Sequence, residues 1–525
     1  MRSAHSLSNP SRAVVVGGFI VFASVAMWGL GGYVVDDAYV VFRVVRRVAA
    51  GQPWAFQGEA AADGVTGPAW AALLLLCARF GALPAVARVV GSLCALAGAA
   101  LVLFLATGTP RASRARTCAA LYLACQLPLV VWAGAGLETG LATLVLAVAT
   151  CGLYAELPSP TRAARGVAAL WALALFSVPW LRPELVPVAC LAAWCPVVGP
   201  SARRLRIAGL ASVASGTISV VAWRLVTFGH ALPLAALAKP SDPVAGVIYV
   251  ARWLVGTGAA TAIVVVCGAW LWTRGRDGLR AAWASCGPPR LPGAVGLGLL
   301  SVMLAGGDWM PGGRLVVPLL PLIALVVGRA LARLSWPWTG ALGLAVTSLV
   351  PVALWLHSFD ALRAQPGVRE RGGAEVLAAL DGASCVALVD IGYLGYTGDL
   401  HVVDLGGITD LEVARLPGGH VSKRIPEGLL MARGVDAIVL HSSSPARVHP
   451  QGSQQQAAHA ARGDAPHDAE RAAGGRLVGL AGYPVELLVA RMPFVQEQFR
   501  VYAQVAYAPD YHYVVLRRVP AGPPP

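Results

Sequence analysis

Charge is scarce in this chain: only 13% of its 525 residues are charged, against about a quarter in a typical soluble domain. Lysine is scarcer still, at two of 41 basic residues. With 57% apolar residues and a mean hydropathy of +0.64, a soluble globule is excluded. Nine of the ten cysteines precede residue 357 and only Cys385 follows it, so no disulfide can form within the C-terminal part. No CxxC or Cys/His metal spacing occurs. No Ala-x-Ala site directly follows the first apolar stretch, which is therefore read as a retained helix and not a cleaved signal. There is no internal repeat.

What is present is a series of apolar windows long enough to cross about 30 Å of hydrocarbon. They run over 13–33, 86–107, 117–133, 137–155, 166–180, 185–199, 207–227, 250–272, 292–305, 315–332 and 339–356, eleven crossings in all. Residues 68–84 are shorter and broken by Arg79 and Gly81, and are assigned to the outer interface. The formal charge of +14 suggests nucleic acid until it is divided. Residues 1–356 hold 26 Arg and Lys against 10 Asp and Glu, a balance of +16, while residues 357–525 hold 15 against 17, a balance of −2. The excess base belongs to membrane loops, and no nucleic-acid partner is expected. With eleven crossings, 16 cations and only two acids, Glu156 and Asp277, share one side with the N-terminus. By the positive-inside rule that side is the cytoplasm.

The expected fold is an α-helical polytopic membrane protein of about 11 transmembrane helices over 1–356, with a first outer loop at 34–85. An extracytoplasmic α/β domain follows over 357–525. Its signals are a helix at 374–380 and strands at 385–390, 402–405, 436–441 and 511–517, with a mobile insertion at 443–475 where apolar periodicity is missing. The expected location is the inner membrane of a bacterial cell, in contact with membrane lipid.

This topology gathers the unusual polar residues at the outer face. Asp36 and Asp37 stand just beyond the first span, where one of them could serve as a base for a hydroxyl; they could equally cap a helix. Tyr39 and Arg43 follow on the same segment. Glu138, in Gly136-Leu137-Glu138-Thr139-Gly140, opens a span and complements its dipole. Arg182 and Glu184 flank Pro183 at a sharp turn, costly near a bilayer unless paired or functional. Lys239 presents a compact charge suited to a phosphate oxygen. Asp308, Trp309 and Arg314 lie in a glycine-rich loop where backbone can approach a ligand and an indole can stack on a sugar.

These strings, in order, resemble the GT-C glycosyltransferases, and most closely the terminal arabinofuranosyltransferases of cell-wall arabinan. The resemblance rests on Asp36-Asp37-Ala38-Tyr39, Gly136-Leu137-Glu138-Thr139, Arg182-Pro183-Glu184, Phe228-Gly229 with Lys239, and Gly307-Asp308-Trp309-Met310 with Arg314. It extends to Gly392-Tyr393-Leu394-Gly395-Tyr396, Asp404-Leu405-Gly406-Gly407 and Tyr511-His512-Tyr513. It implies transfer of a sugar from a polyprenyl-phosphate donor to an extracytoplasmic glycan or lipid acceptor. Asp36 and Asp37 would then be catalytic, and Tyr39, Arg43, Glu138, Arg182, Glu184, Lys239, Asp308, Trp309 and Arg314 would bind donor or acceptor. A divalent cation could assist, although no ligand cluster marks one. Two rivals remain open: a transporter or flippase of lipid-linked glycans, which predicts repeats and mid-membrane charge, and a non-catalytic assembly protein.

Overall fold

A computed structural model describes residues 12–105, 112–153, 162–194, 202–268, 290–308, 310–332, 337–449, 475–508 and 510–519. The chain divides into two compact units, the first comprising Met1–Val35, Gly67–Val226 and Ser241–Arg363, the second Asp36–Thr66, Thr227–Pro240 and Ala364–Pro525.

The first unit is helical, and an apolar helix or bent helix pair coincides with each of the eleven expected spans. By length and apolarity alone, three described helices qualify to cross a membrane: Leu83–Leu105, Arg203–Phe228 and Leu342–Ala379. The number rises to five if Ser113–Ala124 with Leu127–Gly134, and Pro243–Gly256 with Ala259–Gly268, each count as one span bent by 63° and 69°. The remainder are short. Thr139–Ala149, at 11 residues, rises only about 16 Å. Small residues let these helices approach closely: a Cβ on Gly140 would stand 2.1 Å from the Gly91 carbonyl oxygen, so any side chain there would push apart the helices Leu83–Leu105 and Thr139–Ala149. Large apolar side chains point outward, Val226 at 89% exposure among them, as a lipid-facing surface requires.

The second unit is built on a five-stranded sheet in the order β2-β1-β3-β7-β6. Strands β1 (Val386–Leu388), β2 (Val402–Asp404) and β3 (Ala437–Ser442) are parallel, while β6 (Phe499–Ala508) and β7 (Tyr511–Arg518) form an antiparallel hairpin joined to β3 through β7. A separate ribbon pairs β4 (Arg447–His449) with β5 (Arg476–Gly479). The four expected strands correspond to β1, β2, β3 and β7. Most of the expected insertion, 450–474, lies outside the described residues.

Alternation along the strands divides the core in two. Ala387, Val403, Ile438, Leu440, Val514 and Leu516 pack on one face; Val386, Leu388, Val402, Ala437, Val439 and Val515 pack on the other. Val40 and Phe56 join the second face, which makes the segment 36–66 part of this unit. Leu234 and Ala238 likewise form a small buried core with Ala414, bringing 227–240 into the same unit. Sequence order assigns both segments to the membrane body; their apolar side chains are buried against the sheet unit instead.

Candidate functional site

The expected site residues fall into two groups, one in each unit. In the second unit, the helix Asp36–Ala49 lies beside the short helix Ile391–Gly398 and caps it at both ends. The Asp36 carboxylate accepts from the backbone N–H groups of Gly392 and Tyr393, each at 2.9 Å, satisfying the first donors of that helix. Two turns later, the Arg43 guanidinium donates to the carbonyls of Gly395 at 2.5 Å and Leu400 at 2.9 Å. Arg43 also lies 3.3 Å from Asp399 and stacks 4.4 Å over the Phe56 ring. Acid at the N-terminus and cation at the C-terminus match the dipole of the capped helix. Gly392 is required at the contact, because a Cβ there would meet the Asp36 carbonyl oxygen at 2.1 Å. Tyr39 packs edge-on against Tyr393, with ring centroids 5.1 Å apart.

Several charged residues that the sequence did not mark complete this layer. Arg369 lies 5.7 Å over the Tyr39 ring and donates to the Tyr507 hydroxyl at 3.2 Å. Burial and the nearby Asp390 push the Asp36 carboxyl up to about 6, against the opposing pull of Arg369 and the Tyr393 N–H. Asp390 accepts from the Tyr511 hydroxyl at 2.6 Å and contacts His441 Nε2 at 3.1 Å. The other ring nitrogen of His441 lies 2.5 Å from Glu486, a carboxylate with no exposed surface. Burial alone would neutralise His441, but Asp390 and Glu486 hold the imidazolium and raise it to about 10. Burial is likewise overridden at Asp390, which His441 and Tyr511 hold down at about 2.

Asp37 faces a different neighbourhood, in which its charge and those of Lys239 and Asp404 all act on the His420 ring. Lys239 is placed there as the C-cap of the helix Leu234–Ala238, which packs on Leu411–Ala414. Asp404 is fully occupied with its own loop, accepting from the N–H groups of Gly406, Gly407 and Thr409 and from the Thr409 hydroxyl. Its string was visible in the sequence. His420 was not singled out there, and only its position after Gly418-Gly419 hints at a special loop.

In the first unit, Arg182 is buried and held between two acids, Glu138 at 2.9 Å and Glu184 at 3.3 Å, and it donates to the Thr139 hydroxyl at 3.1 Å. One cation between two carboxylates leaves a net negative charge that water barely reaches. Asp308 and Arg314 form a second ion pair, next to Tyr249, whose hydroxyl accepts from the Leu315 N–H at 3.2 Å. Trp309 lies outside the described residues. Among the described residues no group of three or more His, Cys, Asp or Glu could hold a metal ion.

The helical unit and the sheet-bearing unit make up a fold shared with solved structures of a membrane-lipid-binding protein. The chain is similar to ArnT from Cupriavidus metallidurans bound to undecaprenyl phosphate, over 98% of this chain and 99% of that one, at 13% identity and a TM-score of 0.53. The apo form of that protein matches over 97% and 99%, at 13% identity and a TM-score of 0.54. The arabinofuranosyltransferase AftD from Mycobacteria matches over 98% of this chain and 40% of its own, at 16% identity and a TM-score of 0.47. A family described as a domain of unknown function, DUF8728, matches residues 365–511. No curated protein matches the chain.

Proposed function

We propose that this protein is a membrane glycosyltransferase that moves a sugar from a polyprenyl-phosphate donor to a hydroxyl of a glycan or lipid acceptor on the extracytoplasmic side. The observation that carries the reading is the likeness, over nearly the whole chain, to a structure holding undecaprenyl phosphate. The polar groups of the second unit support it.

In the reaction, the acceptor hydroxyl oxygen forms a bond to the anomeric carbon as its proton passes to a carboxylate. The bond from that carbon to the phosphate oxygen breaks, and the polyprenyl phosphate leaves with the electron pair. A phosphate is a weak base, so the leaving group requires no general acid. Asp37 is the carboxylate we assign to this proton, because Asp36 spends both oxygens on the backbone of Gly392 and Tyr393. Lys239 is the cation we assign to the donor phosphate. Within the first unit, Arg182 and Arg314 are counter-charged by Glu138, Glu184 and Asp308; the sequence strings alone make them candidates for binding a polar sugar group by hydrogen bonds. Arabinofuranose is the first sugar to test, on the sequence strings, and the inner membrane with a cytoplasmic N-terminus is the setting they imply.

The test incubates purified protein with a panel of polyprenyl-phosphate sugars, pentoses and hexoses, and measures release of polyprenyl phosphate in the presence of envelope glycan. Consumption of one donor is expected. No consumption of any donor, by protein that is folded and lipid-embedded, would overturn the assignment.

A further inference from the structure

The loop after the helix Leu411–Ala414 is tied down unusually well for a surface connection. Lys423, only 1% exposed, donates its ammonium to the carbonyls of Ala414 at 2.8 Å and Leu416 at 3.0 Å. The Arg424 N–H returns to the Pro417 carbonyl at 2.9 Å, and the Gly419 N–H bonds the Ser422 hydroxyl at 2.9 Å. The Val421 carbonyl accepts from the Val485 N–H at 3.0 Å. Besides Lys423, these bonds carry the His420 side chain inward, at 8% exposure.

The orientation of that ring is chemically determined. Its Nδ1 lies 3.2 Å from the Gly406 carbonyl oxygen. A carbonyl oxygen only accepts, so Nδ1 must carry the hydrogen, and in the neutral ring Nε2 is left with a bare lone pair. Among the described residues no hydrogen-bond partner meets Nε2. The charged groups around the ring are Lys239 from the helix Leu234–Ala238, Asp404 at the end of β2, and Asp37 from the helix Asp36–Ala49. Burial first, and Lys239 second, outweigh the two acids and hold His420 below its ordinary range, neutral at pH 7.

We infer that His420 is a further binding residue of the transfer site, whose Nε2 accepts a hydrogen bond from a hydroxyl of the acceptor and so positions that sugar for Asp37. The inference rests on the glycosyltransferase reading above. It assigns His420 to the acceptor, not the donor: a bare lone pair repels a phosphate oxygen and attracts a hydroxyl. It also gives a neutral acceptor beside a charged base, so that the hydroxyl bound by His420 does not compete for the Asp37 carboxylate.

The test compares full-length wild type with His420→Asn and His420→Gln in lipid, varying donor and acceptor separately. The Asn amide nitrogen can still donate toward Gly406, but nothing replaces Nε2. Acceptor KM should then rise on the order of tenfold, the loss of one good hydrogen bond, with donor KM and melting temperature unchanged. The Gln amide oxygen reaches the Nε2 position and should recover part of the loss. On acidification past the ordinary histidine range, wild type should lose acceptor affinity as His420 takes a proton, and His420→Asn should lack that limb. An Asn variant with wild-type acceptor KM, or one whose acceptor and donor KM change together with a fall in melting temperature, would overturn the inference while leaving the glycosyltransferase reading standing. A wild type that consumes no donor would remove that reading, and this inference with it.

Discussion

Asp36 and Asp37 are adjacent in sequence and are spent on different tasks, and substitution should separate them. Asp37→Asn removes the only group we assign to the acceptor proton, so kcat should fall at least about a hundredfold while expression and melting temperature stay at wild-type values. Asp36→Asn keeps one acceptor for two backbone N–H donors and should cost about 1 kcal/mol of stability, with a smaller loss of turnover. Equal losses in the two variants would contradict the division of roles. The same carboxylate has a pH signature. The folded Asp36 is pushed up to about 6, from an ordinary 3.8, so the folded state holds its proton more tightly than the unfolded chain. Its contribution is fully present below about pH 4 and is lost as pH rises through 6. His441, raised to about 10 from 6.5, behaves in the same direction at higher pH: its stabilisation is complete below pH 6.5 and disappears as pH climbs through 10. A thermal melting series should therefore decline across both windows, and Asp36→Asn should flatten only the acidic one. His441→Gln would leave Asp390 and Glu486 buried without their cation, at a cost of about 3 to 5 kcal/mol, and a melting temperature near wild type would refute that network.

The helix Asp36–Ala49 carries the two aspartates and strand β3 carries His441, and the elements were legible to different degrees. The runs 385–390, 402–405, 436–441 and 511–517 read as strands because each is apolar, β-rich and bounded by Gly, Asp or polar residues; each matches an observed strand to within two residues or so. Strand β6 escaped notice because small and polar residues interrupt its apolar positions and its register shifts twice against β7. What no local pattern could supply was the partner of Asp36, which is 356 residues away. The spacing of Asp36 and Arg43 reads as one face of an amphipathic helix, but which helix they cap depends on a fold that joins distant segments. That pairing makes its own forecast. Arg43→Ala strips two carbonyls of their donor and should cost about 1 to 3 kcal/mol. Because Asp37 rides on the same helix, kcat should fall without a matching change in donor KM. Amide hydrogen exchange over 36–49 should speed up in the variant, and unchanged exchange would mean that the caps do not hold the helix.

At the scale of the molecule, the charge balance of +16 before residue 357 and −2 after it marked a lipid-facing body and a water-facing portion. It could not mark 36–66 and 227–240, because membership of the second unit is decided by a few buried side chains, Val40, Phe56, Leu234 and Ala238, that look like any other apolar residue in a greasy sequence. Those two segments carry Asp37 and Lys239, so the proton and phosphate groups we assign both belong to the sheet-bearing unit. This gives the orientation of the chain a functional meaning, since a polyprenyl-linked sugar is used where nucleotide sugars do not reach. Met431, 51% exposed in the second unit, provides a direct check. In intact cells expressing Met431→Cys, a membrane-impermeant maleimide should label the protein above the background of the same protein without the new cysteine. Labelling that appears only after permeabilisation would put Asp37 and Lys239 in the cytoplasm, reverse every loop assignment made from arginine, and leave the proposed chemistry on the wrong side of the membrane.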